Sequence, residues 1–232
     1  MCGRIVLNTA PGELATEFRL NAEPTLVPRF NIAPTQPVAA VRVGDGGVRV
    51  CDLLPWGLVP KWSPDPRVGA KMFNARSETV TEKPSFREAF ARRRCLVPVT
   101  GFYEWKRRGD QSEPHYFTSP DNRLLALAGL WERWEYPGGD VLETCSVLTT
   151  AANRLMRRVH HRMPVILPAA AHDRWLDTPP DQAEDLRALL TPAGENALRT
   201  WPVETLVNRV VNDGPELIVP VHDDPPDQFN LF

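Results

Sequence analysis

Apolar residues along this chain fall mostly in short runs, four to seven residues long, at 4–7, 38–43, 48–53, 96–99, 115–118, 124–130, 145–148 and 164–167. Several mix alternation with β-branched side chains, the pattern of a half-buried strand. Helical spacing is rarer. Ser85-Phe86-Arg87-Glu88 reads as a capping box, with Phe86, Ala89 and Phe90 then recurring at helical spacing. Residues 151–158 predict a helix with Leu155 and Met156 inward and arginines outward, and 169–176 and 181–190 predict two more. Strands and helices do not alternate, which argues against a doubly wound sheet. The expectation is an α+β fold: one domain over residues 1–232, on a mixed, mainly antiparallel, barrel-like sheet flanked by short helices.

Composition refines this picture. Hydrophobic residues make up 42% of the 232 and charged residues 24%, enough for a packed core. Twenty-four prolines, spread along the chain, predict short elements joined by rigid loops with no clear domain boundary. No apolar stretch reaches the roughly 18 residues of a membrane span, and the first residues lack the pattern of a secretory signal. A soluble, cytoplasmic monomer is expected. Four cysteines lie far apart with no CxxC pair, so no metal site and no cofactor is expected.

Charge is unevenly distributed. The net charge is −2, yet residues 61–108 hold 12 Lys/Arg against 5 Asp/Glu. Residues 151–163 hold four arginines and no acid, while 171–232 hold 4 Arg against 12 Asp/Glu. A basic middle can form a phosphate-binding face, although surface charge for solubility accounts for it equally well.

The chemistry begins at Met1-Cys2. A small residue at position 2 favours removal of Met1, which would leave Cys2 with a free α-amine beside its thiol. With ordinary pKa values near 7.7–8.0 and 8.5, both have reactive fractions at neutral pH. The amine can condense with an aldehyde to an imine, and the thiol can then close a thiazolidine ring intramolecularly. The same Met-Cys-Gly start serves glutamine amidotransferases, where the cysteine is an acyl-transfer nucleophile.

Further motifs follow in order: Asn31-Ile-Ala-Pro-Thr35, Trp56-Gly-Leu-Val-Pro-Lys-Trp62, Asn74-Ala-Arg-Ser-Glu78, Gly101-Phe-Tyr-Glu-Trp105, His160-His-Arg-Met-Pro164, Val207-Asn208 and Asp213-Gly-Pro-Glu-Leu-Ile218. With Met-Cys-Gly-Arg in front, the set resembles the SOS response-associated peptidase family, the abasic-site processing proteins, across nearly the whole chain. The resemblance implies a protein that binds single-stranded DNA and links covalently to abasic sites through Cys2. It implies that Asn74, Glu104 and His160 surround Cys2, and that Thr149 contacts the DNA backbone. Abasic lyase activity and autocatalytic loss of Met1 belong to the same expectation. His161 occupies a variable position of its motif, and Pro84 replaces a basic residue of some relatives.

Residue types suggest roles. Glu104, between Tyr103 and Trp105, could have its pKa raised by apolar neighbours and act as an acid–base group near pH 7. His160 suits protonation of the sugar oxygen, and Asn74 suits orienting the sugar or the Cys2 amine. Arg4, Arg76 and Arg162 adjoin the pocket motifs and are the expected phosphate clamps. Trp62, Phe102 and Trp105 are expected to offer faces to unstacked bases, with Trp56 left in the core. Two alternatives stand beside this reading: an N-terminal-nucleophile hydrolase, and a non-catalytic single-strand binding module.

Overall fold

The computed structural model describes residues 2–221. Its backbone forms two open, largely antiparallel sheets with short helices at their margins. One sheet has five strands in the order β13 (Arg199–Pro202), β8 (Gln111–Thr118), β7 (Gly101–Arg108), β1 (Ile5–Leu7) and β2 (Arg29–Ile32). The other runs β11 (Arg162–Pro164), β10 (Val141–Ala151), β9 (Leu125–Glu135), β6 (Arg94–Val99), β3 (Pro37–Val43) and β4 (Arg49–Pro55). Two short strands join it off that path. β12 (Ile166–Leu167) pairs with β9, and β5 (Asn74–Arg76) runs parallel to β10. The α+β class and the mainly antiparallel pairing match expectation, although neither sheet closes into a barrel.

Strand alternation divides the core. In β1, Ile5 and Leu7 join the main core between the sheets, where Phe102 and Phe117 stack at 5.3 Å. Val6 points the other way, into a second cluster with Tyr103, Tyr116, Val203, Val207 and Leu217. Burial on both faces explains why β1 reads as a continuous apolar run. Gly101 lies opposite Val6 because a Cβ there would collide with the Tyr116 ring and the Phe117 carbonyl.

A C-terminal strap, residues 203–221, covers that second cluster and is latched by polar groups. Asn31 is fully buried and donates through Nδ2 to the carbonyls of Val207, Arg209 and Asn212, at 3.2, 3.1 and 2.7 Å. Asp213 accepts from the backbone N–H of Asn31 at 2.7 Å and pairs with Arg29. The Asn31, Val207 and Asp213 motifs therefore hold the strap down.

The helices depart from expectation in instructive ways. α1 (Pro11–Phe18) was not signalled by pattern. α2 covers Arg87–Arg92 with Phe86 at its N-cap and no side-chain cap bond, so the Ser85 capping box does not form. The helix expected at 151–158 shrinks to α3 (Arg154–Arg157), because β10 continues through Ala151 to pair with Arg162, and Asn153 caps what remains. Residues 169–176 split into a 3-10 turn and α4 (His172–Asp177). Pro180–Leu189 is a 3-10 helix, consistent with Ala183, Leu186 and Leu189 turning inward every third residue.

Candidate active site and nucleic-acid interface

Cys2 sits just before β1 and is fully buried in the main core. Its carbonyl accepts a hydrogen bond from Asn74 Nδ2 at 2.7 Å. Asn74 opens β5, held beside Val147 by the parallel pairing with β10. That leaves Asn74 Oδ1 buried and unbonded among the described residues, an acceptor directed at the Cys2 region. Glu104 comes from the middle of β7, and Tyr103 N–H donates to Arg4 O at 2.9 Å, which ties this strand to the residues following Cys2. His160 follows α3 and places Nδ1 3.8 Å from Glu104 Oε1. The Arg162 backbone holds the same Nδ1 from two sides, its N–H at 3.0 Å and its carbonyl oxygen at 3.2 Å, which fixes the position of the ring.

Burial sets the protonation of these groups. It pushes the Cys2 thiol well above its ordinary pKa, and the negative charge of Glu104 adds to that shift. The thiol thus stays S–H even more fully than an exposed cysteine does at neutral pH. Burial also raises Glu104 above the usual glutamate range and lowers His160 below the usual histidine range. A carboxyl that keeps its proton longer faces an imidazole that gives its proton up sooner, so both sit closer to neutrality. Tyr103 and Trp105 are not the cause of the Glu104 shift, since alternation turns them to the other face of β7.

The expected DNA contacts divide into two groups. Trp62 is 62% exposed and its ring is accessible. Arg76 is exposed and forms no ion pair among the described residues. Arg4, by contrast, donates to Asn31 Oδ1 at 2.7 Å and Val207 O at 2.6 Å and lies 5.5 Å from the Trp105 ring centre. Trp105, half-buried, is further fixed by its Nε1 donating to Asn208 Oδ1 at 2.7 Å. Arg162 grips Glu78 with both terminal nitrogens and donates to Thr149 O at 2.6 Å, leaving its side chain 12% exposed. Thr149 is fully buried, and its hydroxyl faces Ala75 O and Arg162, so it presents no surface to a DNA backbone. Phe102 is likewise buried against Phe117 and cannot stack on a base. Trp56 is in the core as expected, donating to Phe73 O at 2.8 Å.

The structure adds contacts that motif reading missed. A groove of about 520 Å³ opens beside His160, lined by Trp105, Lys106, Arg107, Arg157 and Arg158. Arg107, Arg157 and Arg158 are exposed, and the groove wall contains no carboxylate. Its signals were present as the Lys106-Arg107-Arg108 run and the Arg157-Arg158 pair. Among the described residues, no cluster of three His, Cys, Asp or Glu side chains is arranged to hold a metal, and no helix is long and apolar enough to cross a membrane.

Comparison with known proteins places this arrangement. A family model described as SOS response associated peptidase (SRAP) matches residues 1–210. The chain is 38% identical to the abasic site processing protein YoqW of Bacillus subtilis over 222 residues, covering 94% of this chain and 99% of that one. It is 36% identical over 201 residues to the abasic site processing protein HMCES of Gallus gallus, covering 76% of this chain and 59% of that protein. Among solved structures, a Bacteroides thetaiotaomicron protein superposes with a TM-score of 0.84 at 24% identity, covering 95% of this chain and all of the other. A Bordetella bronchiseptica protein gives 0.76 at 27% identity, covering 88% of this chain and all of the other.

Proposed function

Since the chain belongs to the SOS response associated peptidase family, we propose that it processes abasic sites in single-stranded DNA by capturing them covalently on Cys2. The observation that supports this most is the convergence of Asn74, Glu104 and His160 on a buried N-terminal-region cysteine, beside a basic groove without carboxylates.

The chemistry requires loss of Met1, because the Cys2 nitrogen is otherwise an amide. The freed amine adds to the C1′ aldehyde of the opened sugar, and a proton delivered to the resulting hydroxyl lets water leave as the imine forms. Glu104, with its raised pKa, is suited to supply that proton and recover it. The thiol then adds to the imine carbon. Its S–C bond forms as its proton passes to nitrogen, so a thiol kept as S–H brings the proton that ring closure needs. His160, lowered by burial, enters as a neutral ring that can hydrogen-bond to the sugar oxygen, a milder role than full protonation. Asn74 Oδ1 is suited to accept from the Cys2 amine or a sugar hydroxyl. An imine at C1′ also acidifies C2′–H, which makes strand cleavage a side path.

A hydrolase reading, suggested by the family name, would use Cys2 as an acyl-transfer nucleophile with its own freed amine as the base. It predicts peptide or glutamine hydrolysis in trans and no DNA-sized mass gain. Intact-protein mass spectrometry tests the proposal. Incubation of Met1-free protein with an abasic single-stranded oligonucleotide should add the mass of one oligonucleotide less one water. An unmodified oligonucleotide should add nothing, and an unchanged mass with the abasic one would overturn the proposal.

A further inference from the structure

β8 brings a further imidazole to the face of the five-stranded sheet that carries Glu104. The β7–β8 register sets Phe102 against Phe117, Tyr103 against Tyr116 and Glu104 directly against His115. Phe102 and Phe117 belong to the main core, and Tyr103 and Tyr116 to the second cluster. Alternation therefore puts Glu104 and His115 together on the main-core face, with Cβ atoms about 4.5–5.5 Å apart as in any directly opposed antiparallel pair. None of the sequence motifs contains His115.

The ring is held in an unusual state. Its side chain is 12% exposed, and Nδ1 and Nε2 are both buried without a hydrogen bond among the described residues. Structure alone gives no reason to bury two unbonded nitrogens, since buried polar groups normally have partners. Glu113, two residues back on the same face, places Oε1 3.5 Å from Nε2, longer than a normal hydrogen bond. The Glu113 side chain is 30% exposed and pairs with Arg108 at 2.7 Å, so its carboxylate reaches water. On the other side of β8, the strand β13 sets uncharged Pro202 against His115. Burial lowers His115 below the usual histidine range; the Glu113 charge opposes that shift, and Lys106 and Arg108 add to it. The ring is therefore neutral at pH 7, with one nitrogen able to accept a proton while the other gives one up.

We propose that His115 is a positioning residue of the capture site, passing protons from Glu104 to solvent by way of Glu113. This rests on the capture reading above and supplies a step which that reading needs. An amine with an ordinary pKa of about 7.7–8.0 is mostly ammonium at neutral pH and must shed one proton before it attacks the aldehyde. Cys2 is fully buried, so that proton needs a carrier. Glu104, as carboxylate, takes it from the ammonium. His115 takes it from Glu104 on one nitrogen and releases a proton from the other to Glu113, which returns it to water. One proton leaves the amine and one enters the solvent. Both carboxylates end as they began, and His115 ends as its other tautomer, which a protein used once need not reset.

The experiment follows single-turnover adduct formation by Met1-free wild type and His115→Phe from about pH 6.5 to about pH 9. Phenylalanine keeps an aromatic ring at this position and removes both nitrogens. The variant should be slowed about ten-fold or more at the acidic end, and the deficit should close at the basic end, where the amine is already free. Glu113→Gln should show the same pH-dependent deficit, smaller because water can stand in for an exposed carboxylate. Wild-type rates in both variants would overturn the proposal. So would a slowing that stays constant across pH, which marks a packing role. If His115→Phe does not fold, the Glu113→Gln profile decides alone. A second measurement needs no DNA: in NMR spectra of isotope-labelled histidines, Glu104→Gln should move the His115 ring signals and their titration midpoint. Unmoved His115 signals would overturn the relay. If wild type forms no adduct, the capture reading fails, and the spectra still decide whether Glu104 and His115 exchange protons.

Discussion

The two faces of β7 lie one residue apart in sequence and have opposite characters. Phe102 and Glu104 face the main core, where Cys2, Asn74 and His160 gather around a buried carboxyl. Tyr103 and Trp105 face the strap and both have fixed partners: Tyr103 Oη donates to Phe30 O at 2.9 Å and Trp105 Nε1 to Asn208 Oδ1 at 2.7 Å. The first face looks toward Asn74, whose Oδ1 has no partner among the described residues, and its titrating groups are shifted toward neutrality. The second face is tied down by hydrogen bonds. One strand thus holds a reactive surface rigid by anchoring its reverse side.

The sharpest way to break this comparison is at Cys2. Cys2→Ala should abolish the stable adduct while single-strand affinity persists, because phosphate contacts supply most of it. Gel shift and mass spectrometry on the same samples check both halves. Glu104→Gln comes next, and single-turnover adduct formation should slow by about 10²–10⁴-fold. If ionised Glu104 is the base that reaccepts the proton, the wild-type rate should fall on acidification around a midpoint above the ordinary glutamate value. The stability sign is the reverse. A carboxyl with a raised folded-state pKa favours the fold while protonated, and that contribution is lost as pH rises through the raised value. Thermal melts across pH should therefore show a decline on this account in wild type and its absence in Glu104→Gln.

The anchoring face predicts a different signature. Leu217→Ala, on the fully buried inner side of the strap, should cost about 2–5 kcal/mol of stability in denaturant titration. Its adduct rate per folded molecule should stay near wild type at low temperature. A rate loss as large as that of Glu104→Gln would show that the strap face takes part in the chemistry.

The smallest effect separates the arginines. Arg158→Ala should reduce the salt dependence of single-strand binding by about one phosphate contact without lowering the melting temperature. Arg162→Ala removes the partner of Glu78 and Thr149 and should lower the melting temperature while leaving the salt slope. The opposite assignment of slope and stability would return Arg162 to the DNA surface.

These contrasts also mark what was legible in the sequence. β1, β3 and β6 announce themselves because burial and β-branching coincide, and β9 because residues 125–130 form an unbroken buried apolar run. β7 does not, since Lys106, Arg107 and Arg108 break its apolar character before the pairing with β8 ends. Without that strand, Tyr103 and Trp105 look like the surroundings of Glu104, although alternation sends them away. Asn74 and Cys2 are 72 residues apart, and only the parallel β5–β10 pairing brings them within a hydrogen bond. Adjacency to a motif likewise suggested that Arg4 and Arg162 were free. Their guanidinium groups are spent on Asn31, Val207, Glu78 and Thr149, contacts between segments that sequence spacing cannot reveal.

The complete burial of Cys2 bears on how long such a reagent keeps. An exposed aminothiol would be exhausted by the small aldehydes and keto acids that cells contain, since thiazolidine formation does not discriminate among carbonyl compounds. Enclosure in the main core, with burial favouring S–H, would set a threshold that stray metabolites of low affinity rarely cross. On the proposed reading, a strand bound along the basic groove would be delivered to Cys2 at high local concentration. Under the proposed capture, selectivity for the lesion would come from shelter of the nucleophile, and each molecule would be kept in reserve for a single use.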